Sequence, residues 1–111
     1  MTSPIYVAID TPELEKARDI VAKVKHHVGG IKLGLEFFSA NGRAGVREMA
    51  QLGLPIFLDL KLHDIPNTVA HAAQSASTLN PFFLTVHASG GSAMIDASCG
   101  VGISGSIVSS I

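Results

Sequence analysis

The chain has 111 residues, 8 Lys+Arg against 9 Asp+Glu, a formal net charge of -1, one cysteine and no tryptophan. That is the size of one ordinary domain or a piece of a larger one. The balanced charge excludes a nucleic-acid binder that works by neutralising phosphates and gives no polybasic membrane patch. Cys99 cannot form an intramolecular disulfide, and no basic stretch followed by an apolar core marks a signal peptide, so the expected compartment is cytoplasmic.

Charge is distributed unevenly. Sixteen of the seventeen charged residues lie between Asp10 and Asp64, and Asp96 alone falls in the 47 residues from Ile65 to Ile111. The second half therefore lacks a normal charged surface. No apolar run approaches the roughly 18 to 20 residues of a membrane span, because Ser, Gly, His, Asn or Asp keep recurring. Such a half is either a neutral helical surface rich in Ala and Ser or a face that takes a protein partner.

In chain order, Ile5 to Ile9 is short and β-branched and predicts a buried strand. Thr11 is placed to cap a helix beginning at Pro12, whose apolar face repeats at Leu14, Ala17, Val21, Val24 and Val28. Gly29 and Gly30 end that helix, and Ile31 to Leu35 predicts a second strand. Asn41 and Gly42 interrupt the next helix, which resumes through Val46, Met49, Ala50 and Leu52. Ile56 to Leu62 is the clearest strand, Pro66 starts a helix that runs to Leu79, and Phe82 to Val86 is a fourth strand. Cys99 to Ile111, rich in Gly, Ser, Ile and Val, reads as a fifth strand or an atypical end.

Strand starts near residues 5, 31, 56 and 82 recur every 25 to 26 residues. Repeated strand-helix units imply a parallel sheet of the α/β class. Its apolar strands suit a doubly wound sheet or a (β/α)8 barrel. Asp10, Lys32, Asp59 with Lys61, and His87 at or beyond the strand ends favour the barrel, whose enzymes build their sites on that rim. A full barrel needs roughly 200 residues or more, so the expectation is a partial (β/α)8 barrel of about four units, spanning residues 1–98, with an atypical tail at 99–111. Its outermost strands would carry unpaired edges.

The run Asp59-Leu60-Lys61-Leu62-His63-Asp64 carries the chemistry. On a strand Asp59 and Lys61 share one face, and Leu58, Leu60 and Leu62 take the other. Taken alone, such an alternation fits a strand-end ion pair. With Lys32 and Asp10 ending neighbouring strands, charges of both signs converge, and a lysine held between carboxylates keeps its proton and acts as a general acid. The histidines lack metal-ligand spacing, so no metal site is expected. Gly90-Gly91 reads as plain loop, and Ser89, Ser92 and Cys99 show no nucleophile elbow.

The run DLKLHDIPNT from Asp59 to Thr68, with GLPIFL before it, VHASGG at Val86 to Gly91, the opening VAIDTP and IKLGLEFF at Ile31 to Phe38, resembles the orotidine 5'-phosphate decarboxylase family. Agreement covers about residues 5 to 98. The resemblance implies a cofactor-independent carboxy-lyase on a TIM barrel that converts orotidine 5'-monophosphate to uridine 5'-monophosphate and carbon dioxide in pyrimidine synthesis. It implies Lys61 as proton donor in a network with Lys32, Asp59 and Asp64, and Asp10 and Lys32 as ribose contacts. Substrate contacts would extend over Leu60, Leu62, His63, Ile65, Pro66, Asn67 and Thr68. It also implies a homodimer in which Asp64 and Thr68 reach the partner's site, with no nucleic acid or membrane involved.

Phosphate and pyrimidine contacts from the second half of such a barrel are missing, and after Ser98 the sequence leaves the family pattern. The expectation is a truncated or altered product that turns over weakly or not at all, since remote phosphate contacts help organise the reacting centre. The alternatives are a sugar-phosphate decarboxylase or synthase of the same superfamily, which would depend on magnesium, and a fragment that only associates.

Overall fold

The structure, a computed structural model, describes residues 3–102 and 105–110. Two compact units divide the chain within its third strand, Met1–Phe57 and Leu58–Ile111.

The first unit begins with β1 (Tyr6–Ile9), α1 (Leu14–Val24), β2 (Gly30–Gly34) and α2 (Leu35–Ala50), and ends where β3 (Ile56–Leu62) starts. β1 and β2 run parallel with Val7 opposite Ile31 and Ile9 opposite Leu33. Ile9, Ile31 and Leu33 are buried with Ala17 and Val21 of α1 and Phe37, Val46 and Met49 of α2. Ala17 and Val21 are four residues apart, the spacing of one helical face.

Four local readings need correction. Thr11 does not cap α1: its hydroxyl accepts the N–H of Glu13, and the helix starts at Leu14 with Glu13 as N-cap. The cause is in the next helix, where the Asn41 amide donates to the carbonyl of Pro12 at 2.8 Å and holds that carbonyl in the loop. Nor do Gly29 and Gly30 end the helix. It stops at Val24, and Gly30 opens β2 because the Tyr6 ring fills the space where a Cβ would stand, 2.3 Å from the nearest ring atom. Lys32 lies in the middle of β2, opposite Ala8, and not at the strand end where the rim reading put it. Gly34 is the last residue of β2, and Leu35, expected to close the strand, already belongs to α2.

The interruption at Gly42 is present. Its φ of 62° and ψ of -158° belong to a region that only glycine occupies without strain, and they kink α2 there. Arg18 of α1 pairs with Glu48 of α2 across the helix contact. The Ile31 N–H donates to the carbonyl of Pro55 at 2.9 Å, which guides the chain into β3 beside β2.

The second unit holds the rest of β3, α3 (Pro66–Ser77), β4 (Phe83–His87), a 3-10 turn at Ala88–Gly90, α4 (Ser92–Cys99) and β5 (Ser106–Ser110). Pro66 occupies the start of α3, where its missing N–H costs no hydrogen bond. β5 pairs parallel to β4, Leu84 opposite Ile107 and Val86 opposite Ser109, so part of the tail is a fifth strand. Positions 103, 104 and 111 of that tail lie outside the described residues. Val69, Val86 and Met94 form a buried cluster flanked by Leu62, Ile95 and Ile107. Among the described residues no helix is long and apolar enough to cross a membrane.

Candidate active site

β3 runs over the span that its sequence predicts, Ile56–Leu62, and its second half builds the site. Leu58 is fully buried and Leu62 packs on the Val69-Val86-Met94 cluster, which anchors the strand on its apolar side. Asp59, 7% exposed, is the buried charge of this segment. Such a carboxylate is tolerable only when donors surround it. Lys61 Nζ donates to Asp59 Oδ2 at 2.9 Å, and the Thr85 hydroxyl donates to Oδ1 at 2.8 Å.

Lys61 itself is open, with 52% of its side chain exposed against 9% for Asp59. An ion pair with one partner in water adds about 1 kcal/mol or less to stability. Its value is orientation: the ammonium is tied at one side and free at the other. The backbone departs from a regular strand here, since Lys61 has φ of 49°, the left-handed region that non-glycine residues enter at a cost of about 1 kcal/mol or more. Its N–H donates to Thr85 Oγ1 at 2.9 Å.

Beyond Lys61 the chain enters a short loop. The Asp64 carboxylate accepts the N–H of Ile65 at 2.7 Å, and the Ile65 carbonyl accepts the N–H of Val69, which seats the first turn of α3. Asn67 and Thr68 are exposed on that turn. His63, Asp64, Ile65 and Pro66, together with Ser89 and Gly90, line an open cleft of about 480 Å³. The His63 and His87 rings stack with centroids 5.2 Å apart. Nδ1 of His87 accepts the Ser89 N–H at 3.2 Å and lies 2.7 Å from the Ser89 hydroxyl. That geometry puts the ring proton of a neutral His87 on Nε2.

Of the residues singled out from sequence, Asp59 and Lys61 are thus brought together, and Asp64 stands apart from their pair, its carboxylate engaged by the turn before α3. His63 to Pro66 share the cleft. Asp10 is exposed directly after β1, and Lys32 is partly buried within β2, both in the first unit. Thr85 went unmarked, and Ser89 and Gly90, which line the cleft, were read as lacking a nucleophile elbow and as plain loop. Thr85 is a lone hydroxyl inside the apolar run FLTVH, which was the available signal. Among the described residues no three His, Cys, Asp or Glu side chains are grouped as a metal site would require. A half-open ammonium directed by a buried carboxylate can stabilise an adjacent anion and give it a proton.

Comparison with known proteins bears on the family and the fold. A sequence model described as the orotidine 5'-phosphate decarboxylase / HUMPS family matches residues 3–105. Orotidine 5'-phosphate decarboxylase of Sphingopyxis alaskensis is 70% identical over 96 residues, which are 86% of this chain and 43% of that protein. The chain spans less than half the length of this curated relative. A crystal structure of orotidine 5'-phosphate decarboxylase from Lactobacillus acidophilus is similar with a TM-score of 0.82 at 36% identity, over 96% of this chain and 52% of that one. The orotidine 5'-monophosphate decarboxylase of Methanocaldococcus jannaschii, solved with the inhibitor BMP, superposes with a TM-score of 0.90 over 98% of this chain and 52% of that one, and at 23% identity it bears on the fold alone. The fold class is α/β, with the strand-helix repeat of a partial (β/α)8 barrel.

Proposed function

The chain belongs to the orotidine 5'-phosphate decarboxylase / HUMPS family, and from that premise we propose that it carries the proton-donating half of an active site that converts orotidine 5'-monophosphate to uridine 5'-monophosphate and carbon dioxide. The observation that carries the reading is the Lys61 ammonium bound at 2.9 Å to a buried Asp59 carboxylate and half open on its other side.

Breaking the bond between ring carbon 6 and the carboxylate releases carbon dioxide and leaves the electron pair on that carbon, which has no conjugated sink. Fixed charge must meet it. Lys61, oriented before the substrate arrives, opposes the developing negative charge without reorganising and then passes one Nζ proton to carbon 6, and solvent returns a proton to the amine. Asp59 holds the ammonium in place. In this reading Asp10 and Lys32 contact the ribose, Lys32 extends the charge network, and Asp64 extends the network of a second subunit. Residues Leu60 to Thr68 form the wall of the substrate site, with Asp64 and Thr68 serving a second subunit in a cytoplasmic homodimer.

The chain spans 43% of its Sphingopyxis relative, and the loops that usually bind phosphate on such barrels follow strands seven and eight. The 111 residues alone are therefore proposed to turn over feebly. The test is release of labelled carbon dioxide from carboxyl-labelled orotidine 5'-monophosphate at high protein concentration. Slow release that Lys61→Ala removes and a chelator leaves untouched is the expected result. Release that survives Lys61→Ala, or that needs magnesium, overturns the reading, the latter in favour of a sugar-phosphate enzyme of the same family.

A further inference from the structure

The mechanism above uses Asp59 and Lys61 and gives Thr85 no part. Yet Thr85 is 3% exposed, in β4 between the fully buried Leu84 and Val86. A valine would have nearly the same shape and would bury more apolar surface there, so a hydroxyl at this position needs a reason.

Its bonds supply one. Oγ1 accepts the backbone N–H of Lys61 at 2.9 Å and donates its single proton to Asp59 Oδ1 at 2.8 Å. Lys61 Nζ returns to Oδ2 of the same carboxylate at 2.9 Å. The three residues close a ring from the Lys61 backbone through a hydroxyl and a carboxylate back to the Lys61 ammonium. Each member constrains another. With Oδ1 engaged by Thr85, the carboxylate plane is set and Oδ2 faces the lysine. With its N–H held, Lys61 keeps the left-handed φ of 49° that determines where its side chain leaves the strand.

We infer that Thr85 is a positioning residue for the proton donor: it fixes the Lys61 backbone and the Asp59 carboxylate together, and so aims the ammonium. This inference rests on the decarboxylase reading for its consequence in turnover, but its geometry stands independently. Thr85 acts through Lys61 and Asp59, so its loss should lower the rate of the chemical step and leave substrate affinity nearly unchanged.

The test compares Thr85→Val with Thr85→Ser in the 111-residue chain by nuclear magnetic resonance, with kcat and KM for orotidine 5'-monophosphate measured alongside. In Thr85→Val the Lys61 amide should exchange with solvent about tenfold faster, as expected when one hydrogen bond is lost, while amides of α3 and α4 keep their rates. The Lys61 Nζ signal should move toward that of a solvent lysine. kcat should fall about 10- to 100-fold with KM little changed, the effect of a small misplacement of a reacting group. Thr85→Ser should restore all three. An unchanged Lys61 amide and Nζ in Thr85→Val, or a serine variant that behaves like valine, overturns the inference. If Thr85→Val fails to fold, the parent chain decides: a Thr85 hydroxyl proton with a nuclear Overhauser contact to the Lys61 N–H supports it, and a freely exchanging Lys61 amide refutes it. Absence of turnover in the parent, with the resonance changes present, would count against the feeble activity proposed for these 111 residues and leave the Thr85 clasp standing.

Discussion

Replacing Lys61 by glycine and, separately, by alanine separates the strain in its backbone from the ion pair of its side chain. Both changes delete the bond to Asp59, which with a half-exposed ammonium is worth about 1 kcal/mol or less. Both keep the N–H that donates to Thr85. They differ in φ. At 49° a residue with a Cβ pays about 1 to 2 kcal/mol that glycine avoids. Glycine loses about 0.5 to 1 kcal/mol more chain entropy on folding. The balance makes Lys61→Gly more stable than Lys61→Ala by about 0.5 to 1 kcal/mol, the reverse of the order at an ordinary strand position. Urea unfolding followed by circular dichroism reads this directly. With m of about 1 to 3 kcal/mol/M, the glycine midpoint should lie about 0.2 to 1 M above the alanine midpoint. Both variants should lack decarboxylation. An alanine variant as stable as the glycine variant, or more so, would refute the left-handed backbone and with it the account of how the ammonium is directed.

Gly30→Ala should destabilise the first unit by about 1 to 3 kcal/mol, because the new methyl would stand 2.3 Å from the Tyr6 ring. A thermal melt checks it, and Tyr6→Ala added to that change should recover part of the loss. Gly42→Ala should cost about 1 to 3 kcal/mol through its φ and ψ alone, since nothing lies within 4 Å of the added carbon, and a chain that loses no stability would show α2 to be unkinked. Met94→Ala should cost about 2 to 5 kcal/mol by opening a cavity beside Val69 and Val86, read by the same urea titration.

How far the site could be read from residues follows from what kind of information each part carries. β3 was legible because seven consecutive residues, IFLDLKL, lie between Pro55 and the His63-Asp64 loop, and α3 because Pro66 stands at its first position. The pairing of Asp59 with Lys61 followed from strand alternation, although the left-handed turn at Lys61 breaks that alternation and no spacing rule announces it. Thr85 escaped notice because β4 is buried on both faces. Leu84, Thr85 and Val86 are all covered, so a period of two cannot distinguish a functional position from a packing one. The start of α1 was displaced by Asn41, 29 residues away from Pro12, and the start of β2 by the ring of Tyr6. Both are tertiary effects on a local preference. The fifth strand lacked alternation and charge, and what defines it is its pairing with β4.

The central claim is that Lys61, held by Asp59, meets the charge that forms on the pyrimidine ring. The most direct measurement is a titration of the chain, labelled with 15N at lysine Nζ and along its backbone, with a uridine 5'-monophosphate analogue bearing an anionic oxygen at ring carbon 6. The account predicts that the Lys61 Nζ signal shifts together with the amides of His63 to Thr68, and that Asp59→Asn weakens the response. A Lys61 signal that stays in place throughout the titration, whether the analogue binds elsewhere or not at all, would contradict it.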